Sequence, residues 1–274
     1  MTIVAAWVKA TKRGAEELVF VSDSRLSGGG YLDCAPKLFL LPRSDAAIGF
    51  SGNTFIAYPL LFQISQAINA HYPLRDGVID YLPFRAFLVK LINKLFLSYD
   101  TYLTDFEKPD TAFLLGGYSW FNKSFQIDKI SFNVGLEKFE HKPIRAGALG
   151  KVAFIGDWST TAQASLNKLL RDRFGSTVLN QKETPVHSFH MEPFEVVRDL
   201  IRTAAPEATI AGAPQLVSVS QHMNARHTAI YWPTKTTGNV FLGGRQIFDF
   251  EQIENWILDP DRLEKRHLFL GDHS

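Results

Sequence analysis

The stretch that decides the fold is Thr2–Thr54, which contains 2-TIVAAWVK-9, 18-LVFVSDSRLSGGGYL-32, 36-PKLFLL-41 and 46-AAIGFSGNT-54. Each apolar run is short and rich in β-branched or aromatic residues, and each is followed by polar residues or glycines. That is the pattern of strands joined by turns. Thr2–Lys9, Leu18–Ser22, Lys37–Leu41 and Ala46–Ser51 are the expected strands. TKRGAEE is a polar turn, Pro42–Asp45 a second turn, and Gly28, Gly29 and Gly30 mark a bend.

Beyond Asn53 the period changes. Ile56, Leu60, Phe62, Ile64 and Ile68 recur at helical spacing through Ala70, with Pro59 near the start of the segment, where proline is tolerated best. After a connection, HYPLRDGVIDYLP, a second helix is expected over Phe84–Ser98. Strands follow at Thr111–Trp120 and Ser124–Phe132, with a turn at Asn122 and a short extended piece at Ala153–Ile155. Helices are expected at Thr160–Arg173 and Glu192–Ala204, with a polar loop near Thr177–Thr184 between them. Gln215–Val219 and Thr228–Tyr231 close the pattern as strands. Strands, a helix pair, strands, a helix pair and strands predict an α+β chain built as a four-layer αββα sandwich, two antiparallel sheets between helix layers. Residues 1–237 form the expected main domain. Residues 238–274 form a C-terminal extension whose Phe248, Phe250, Ile253, Trp256 and Ile257 pack on the domain or on a neighbouring subunit.

Composition narrows the function. In 274 residues, 29 Lys and Arg balance 28 Asp and Glu for a net charge of +1, so no basic excess points to nucleic acid or an anionic membrane. One cysteine, Cys34, excludes an intrachain disulfide and any cysteine-pair zinc site. The first residues lack a signal-peptide pattern, and no apolar run reaches the roughly 20 residues of a membrane span. A cytoplasmic protein is the expectation. His187, His190, His222 and His227 have no tightly spaced carboxylate, and Gly28–Gly30 lack the ending of a phosphate loop. No metal and no cofactor is expected.

The ordered set Thr2, Asp23, Arg25, Lys37 and Gly52 resembles the proteasome β-subunit family of N-terminal-nucleophile hydrolases, with bacterial relatives sharing the layout. Lys37 follows Asp23 by 14 residues and Gly52 follows Lys37 by 15. The resemblance covers roughly Thr2–Tyr231. Alone, each residue has an ordinary explanation: a second-position threonine, a turn aspartate, a solvated strand lysine, a turn glycine. Together they imply a threonine peptidase. Removal of Met1 frees the Thr2 α-amine, whose ordinary pKa of about 8 suits a base at neutral pH. The resemblance makes Thr2 the nucleophile, Lys37 the cation beside its hydroxyl, Asp23 the partner of Lys37, and Arg25 a support for the turn. The Gly52 N–H becomes the oxyanion donor. Leu26, Ala35, Phe50 and Thr54 are the implied pocket residues, and Ser27 would bind extended peptide main chain.

The family's second cluster is altered. Asp157 stands where the family has a serine, with Ser159 two residues on. Glu207 matches a family aspartate, and Ile210, beside Thr209, occupies a second serine position. Asp157 would favour the charged α-amine and weaken it as a base. Two further expectations therefore stand beside the peptidase: a non-catalytic assembly or scaffold subunit, and an amidase acting on a small amide. The resemblance also implies peptide or unfolded-protein substrates, a homo-oligomeric ring and an unfoldase partner.

Overall fold

The structure, a computed structural model, describes residues 2–10, 15–99, 110–147, 149–175, 188–222 and 224–270. Most of the TKRGAEE turn, the polar loop near Thr177–Thr184, and His187 lie outside the described residues.

Strands β1 (Val4–Ala10) and β2 (Glu16–Ser22) pair antiparallel, with Val4 opposite Ser22. A two-stranded hairpin follows, β3 (Leu26–Ser27) with β4 (Tyr31–Leu32). Then β5 (Leu38–Leu40) and β6 (Ala46–Ser51) lead into α1 (Thr54–Asn69). The Asn53 side chain caps α1 by accepting from the Phe55 N–H at 2.8 Å. Pro59 lies inside this helix and removes the donor that would meet the Phe55 carbonyl. The Tyr99 hydroxyl donates to that carbonyl at 3.4 Å and to Ile56 O at 3.3 Å.

The chain continues through α2 (Tyr72–Arg75), α3 (Tyr81–Phe96), β7 (Ala112–Ser119), β8 (Ser124–Asn133), β9 (Lys138–Pro143) and β10 (Val152–Ile155). Helices α4 (Ser159–Phe174) and α5 (Glu192–Thr203) follow, then β11 (Gln215–Ser220) and β12 (Asn224–Trp232). The C-terminal residues add β13 (Asn239–Leu242), β14 (Arg245–Gln246), β15 (Ile253–Leu258) and β16 (Lys265–Leu270).

The expected two-sheet, four-layer sandwich is corrected by this topology. The described residues form three sheets and five helices. One sheet has nine strands, in the order β10-β1-β2-β11-β12-β13-β14, with β15 on β12 and β16 on β15. The second runs β5-β6-β7-β8-β9, and the third is the β3–β4 hairpin. The β12–β15 pairing is parallel, so the largest sheet is not purely antiparallel. The physical reason lies largely in the last residues. IENWIL and KRHLFL pair along their length, and β15 joins β12, so these residues enlarge the sheet, with Ile257 and Leu258 buried against the domain. Phe248 and Phe250 stay exposed and stack on each other, ring centroids 5.4 Å apart.

Three buried clusters hold the elements together. Leu166, Leu170, Phe194, Val197 and Ile201 of α4 and α5 pack with Trp7, Val19 and Leu216. Ile64, Ile68, Phe84, Leu88 and Ile92 of α1 and α3 pack with Ile48, Phe113 and Ile130. Val4, Ala6, Phe20 and Val217 meet Leu38, Ala47, Leu114 and Ile127 where the nine- and five-stranded sheets face each other. Fully burying one such leucine, isoleucine or phenylalanine contributes roughly 1.5–3 kcal/mol. Among the described residues, no helix is long and apolar enough to cross a membrane.

Candidate active site

Thr2 lies just before β1, and the β1–β2 register brings residue 23 beside residue 3. Ile3 N–H donates to Asp23 Oδ1 at 3.1 Å. Lys37 lies just before β5, on the facing sheet, and its carbonyl accepts from Phe50 N–H at 3.2 Å. The site therefore forms where the ends of β2 and β6 approach the start of β5.

There Thr2 Oγ1 donates to Asp23 Oδ1 at 2.5 Å and accepts from Lys37 Nζ. Lys37 Nζ also reaches both Asp23 oxygens at 2.9 Å. Arg25 N–H donates to Asp23 Oδ2 at 3.0 Å, so the carboxylate is satisfied by four donor groups. Thr2 is 2 % exposed, and Asp23 and Lys37 are fully buried. Burial pushes the Lys37 ammonium below its ordinary value, and the charge and hydrogen bonds of Asp23 oppose that shift. The two effects act on one nitrogen that touches a hydroxyl. The Thr2 hydroxyl is thus held between an amine that donates to its oxygen and a carboxylate that accepts its proton in a hydrogen bond.

Arg25 does more than support a turn. Its guanidinium grips Asp33 through two parallel bonds, 2.6 and 2.8 Å, and donates to Pro206 O at 2.5 Å and Ala208 O at 3.0 Å. It also lies over the Tyr31 ring at 4.3 Å. The hydrogen bond from Arg25 holds the Asp33 carboxyl below the ordinary aspartate value. Arg25 thus ties the β3–β4 hairpin to the 205–210 loop.

A cleft of about 360 Å³ opens beside Thr2. Of the expected pocket residues, Leu26, Ser27, Phe50 and Thr54 line it, with Lys37 and Gly52. Ala35 does not. It is buried, its N–H bonds to Ser24 O, and its carbonyl accepts from Gln215, so it belongs to the frame of the site. Gly28, Asn53 and Asp110, outside the expected set, line the cleft as well. Gly52 has φ +95°, and a Cβ there would meet Asp110 O at 2.7 Å, so only glycine fits this wall.

The altered cluster is placed as follows. Gly156, at φ +98°, lies directly against the Thr2 carbonyl, leaving no room for a Cβ. The next residue, Asp157, is exposed and accepts from Thr209 Oγ1 at 3.5 Å. The protein around its carboxyl and the neighbouring Asp110 raise its pKa, and its charge reaches Lys37. Ser159 begins α4 and bonds through its N–H to Gly156 O. Glu207 is exposed, and its backbone carbonyl, not its carboxylate, accepts from the Tyr31 hydroxyl. Ile210 is a core residue.

Two residues of the site carry little signal in the sequence. Gly156 sits within FIGDWST as an ordinary turn glycine, and only its contact with Thr2 distinguishes it. Gln215 is fully buried and bonds to the backbone on both sides of the site. Its only signal is a lone amide at the head of the apolar run QLVSV. Compared with known proteins, the chain matches no family model and no curated protein. Among the described residues, no group of three or more His, Cys, Asp or Glu is placed to hold a metal ion.

Proposed function

We propose that the chain is a threonine-nucleophile amidohydrolase, acting on peptide bonds after removal of Met1, and related to the proteasome β-subunit family. The observation that carries this reading is the buried contact of Thr2 Oγ1 with both Asp23 and Lys37 beside an open cleft. In the proposed reaction the freed Thr2 α-amine accepts the hydroxyl proton as Oγ1 attacks the amide carbonyl carbon. Lys37 stabilises the oxygen as its proton leaves, and the Gly52 N–H receives the oxyanion. The C–N bond breaks, the proton passes to the leaving amine, and water hydrolyses the ester on Thr2, restoring the hydroxyl. Asp23 keeps Lys37 charged and oriented throughout. An assembly of like subunits, peptide or unfolded-protein substrates and an unfoldase partner belong to this proposal through the family resemblance alone.

One observation favours a small amide as the substrate instead: a cleft of about 360 Å³ is near the lower end of the size usual for small-molecule pockets. Hydrolysis of a peptide library and of a panel of small amides, by the wild-type chain and by Thr2→Ala, tests both readings. Turnover of either class that disappears in Thr2→Ala supports the nucleophile. Activity retained by Thr2→Ala refutes it, and turnover of neither class contradicts both readings.

A further inference from the structure

Lysine is a long, flexible side chain, so the place of its ammonium depends on how firmly its backbone is held. At Lys37 the carbonyl is held by Phe50 N–H, and the N–H is held by one side chain from a distant strand. Gln215, the first residue of β11, accepts from Lys37 N–H at 2.9 Å and from Leu38 N–H at 3.3 Å through Oε1. Its Nε2 donates to Asp23 O at 3.1 Å and to Ala35 O at 2.7 Å. All four hydrogen-bonding positions of the amide are filled, which also decides its orientation: a flipped amide would set N–H against N–H. Gln215 is fully buried, and behind it Gly244 approaches so closely that a Cβ would lie 3.2 Å from Gln215 Cγ.

We propose that Gln215 is a positioning residue that sets Lys37 against Asp23 and Thr2 by tying the backbone of residues 37 and 38 to the carbonyls of residues 23 and 35. This rests on the threonine-nucleophile reading and assigns a role outside the 2–54 stretch that first pointed to it. A side chain of similar size without the amide (Met), or one whose amide is set back by a methylene (Asn), would release the two backbones from each other. A displacement of about 1 Å at a reacting group can reduce rate on the order of 100-fold.

The test is the rate of covalent adduct formation at Thr2 by an electrophilic threonine trap, followed across pH and normalised to the folded fraction from near-UV circular dichroism. The processed wild-type chain is compared with Gln215→Met, Gln215→Asn and Leu216→Ala. The last removes a neighbouring core side chain without touching the amide bridge. The expected result is a fall of about 100-fold in both Gln215 variants, with a displaced ascending limb of the pH profile, while Leu216→Ala keeps the rate and the limb. Unchanged rate and limb in the Gln215 variants would overturn the inference, as would failure of both to fold, which would make the amide purely structural. A wild-type chain that forms no adduct is a different failure, that of the nucleophile itself.

Discussion

At the scale of single residues, the centre of the account is a buried ion pair with a hydroxyl inserted into it. Lys37 and Asp23 are both withdrawn from water, so each requires the other. Asp23→Asn leaves the Lys37 cation without its counter-charge and is expected to destabilise the chain by about 3–5 kcal/mol, read from urea unfolding. The same substitution should abolish any adduct at Thr2. Gly156 is a second sensitive point, because its backbone lies against the Thr2 carbonyl at a positive φ. Gly156→Ala is expected to destabilise by roughly 1–3 kcal/mol and to displace Thr2, whereas an alanine at Gly175, also at positive φ but in open space, should leave Thr2 in place. Thr2, Asp23, Lys37 and Gly52 stand out in the sequence only as an ordered set that resembles the proteasome β-subunit family, all within one short stretch. Gln215 and Gly156 do not, because their roles come from contacts across long sequence separations, which no local pattern encodes. Ala35 was misplaced for the same reason: its position in the chain resembles a pocket residue, but its backbone serves Ser24 and Gln215.

Among the elements, the β3–β4 hairpin and the 205–210 loop are joined by Arg25, and the joint is sensitive to acid. The hydrogen bond from Arg25 depresses the folded-state pKa of Asp33 below the ordinary 3.8. The stabilisation is therefore present above the unfolded value and lost as pH falls through the folded one. Amide-exchange protection factors in residues 26–32 and 205–210 should fall together in that acid range, and Arg25→Ala should produce the same joint loosening at neutral pH. Independent behaviour of the two segments would contradict the linkage. The early strands and the long helices were readable from their apolar period. Others were not: α2 is only one turn, and β9 reads KFEHKP, a charged edge strand with little apolar signal. Pro59 was expected near a helix start and lies within α1, where the Tyr99 hydroxyl meets the carbonyl it leaves free.

For the whole molecule, the C-terminal residues add strands to the largest sheet that their sequence pattern does not announce. Their alternation is blurred by charged and aromatic positions, so pairing with β12 could not be read from period alone. That docking buries Lys265 near Glu17, and burial, with Lys9 and Arg226 adding to it against the pull of Glu17, brings the Lys265 pKa down to about 8. A lysine depressed in the folded state releases its proton before the unfolded chain does, so stability rises with pH between about 8 and the ordinary 10.5. Lys37 acts in the same direction. The raised pKa of Tyr81 works the other way, but only above the ordinary 10.0. The urea midpoint should accordingly climb from pH 8 toward pH 10, and Lys265→Met should flatten part of that rise. The same C-terminal residues place Gly244 behind Gln215, so the last strands and the candidate site share one framework. The most direct test of the central claim is the mass of the N-terminal peptide after treatment with an electrophilic threonine trap. The account predicts a peptide that begins at Thr2 and carries one trap molecule. A peptide that retains Met1 on essentially every chain and carries no adduct would contradict it.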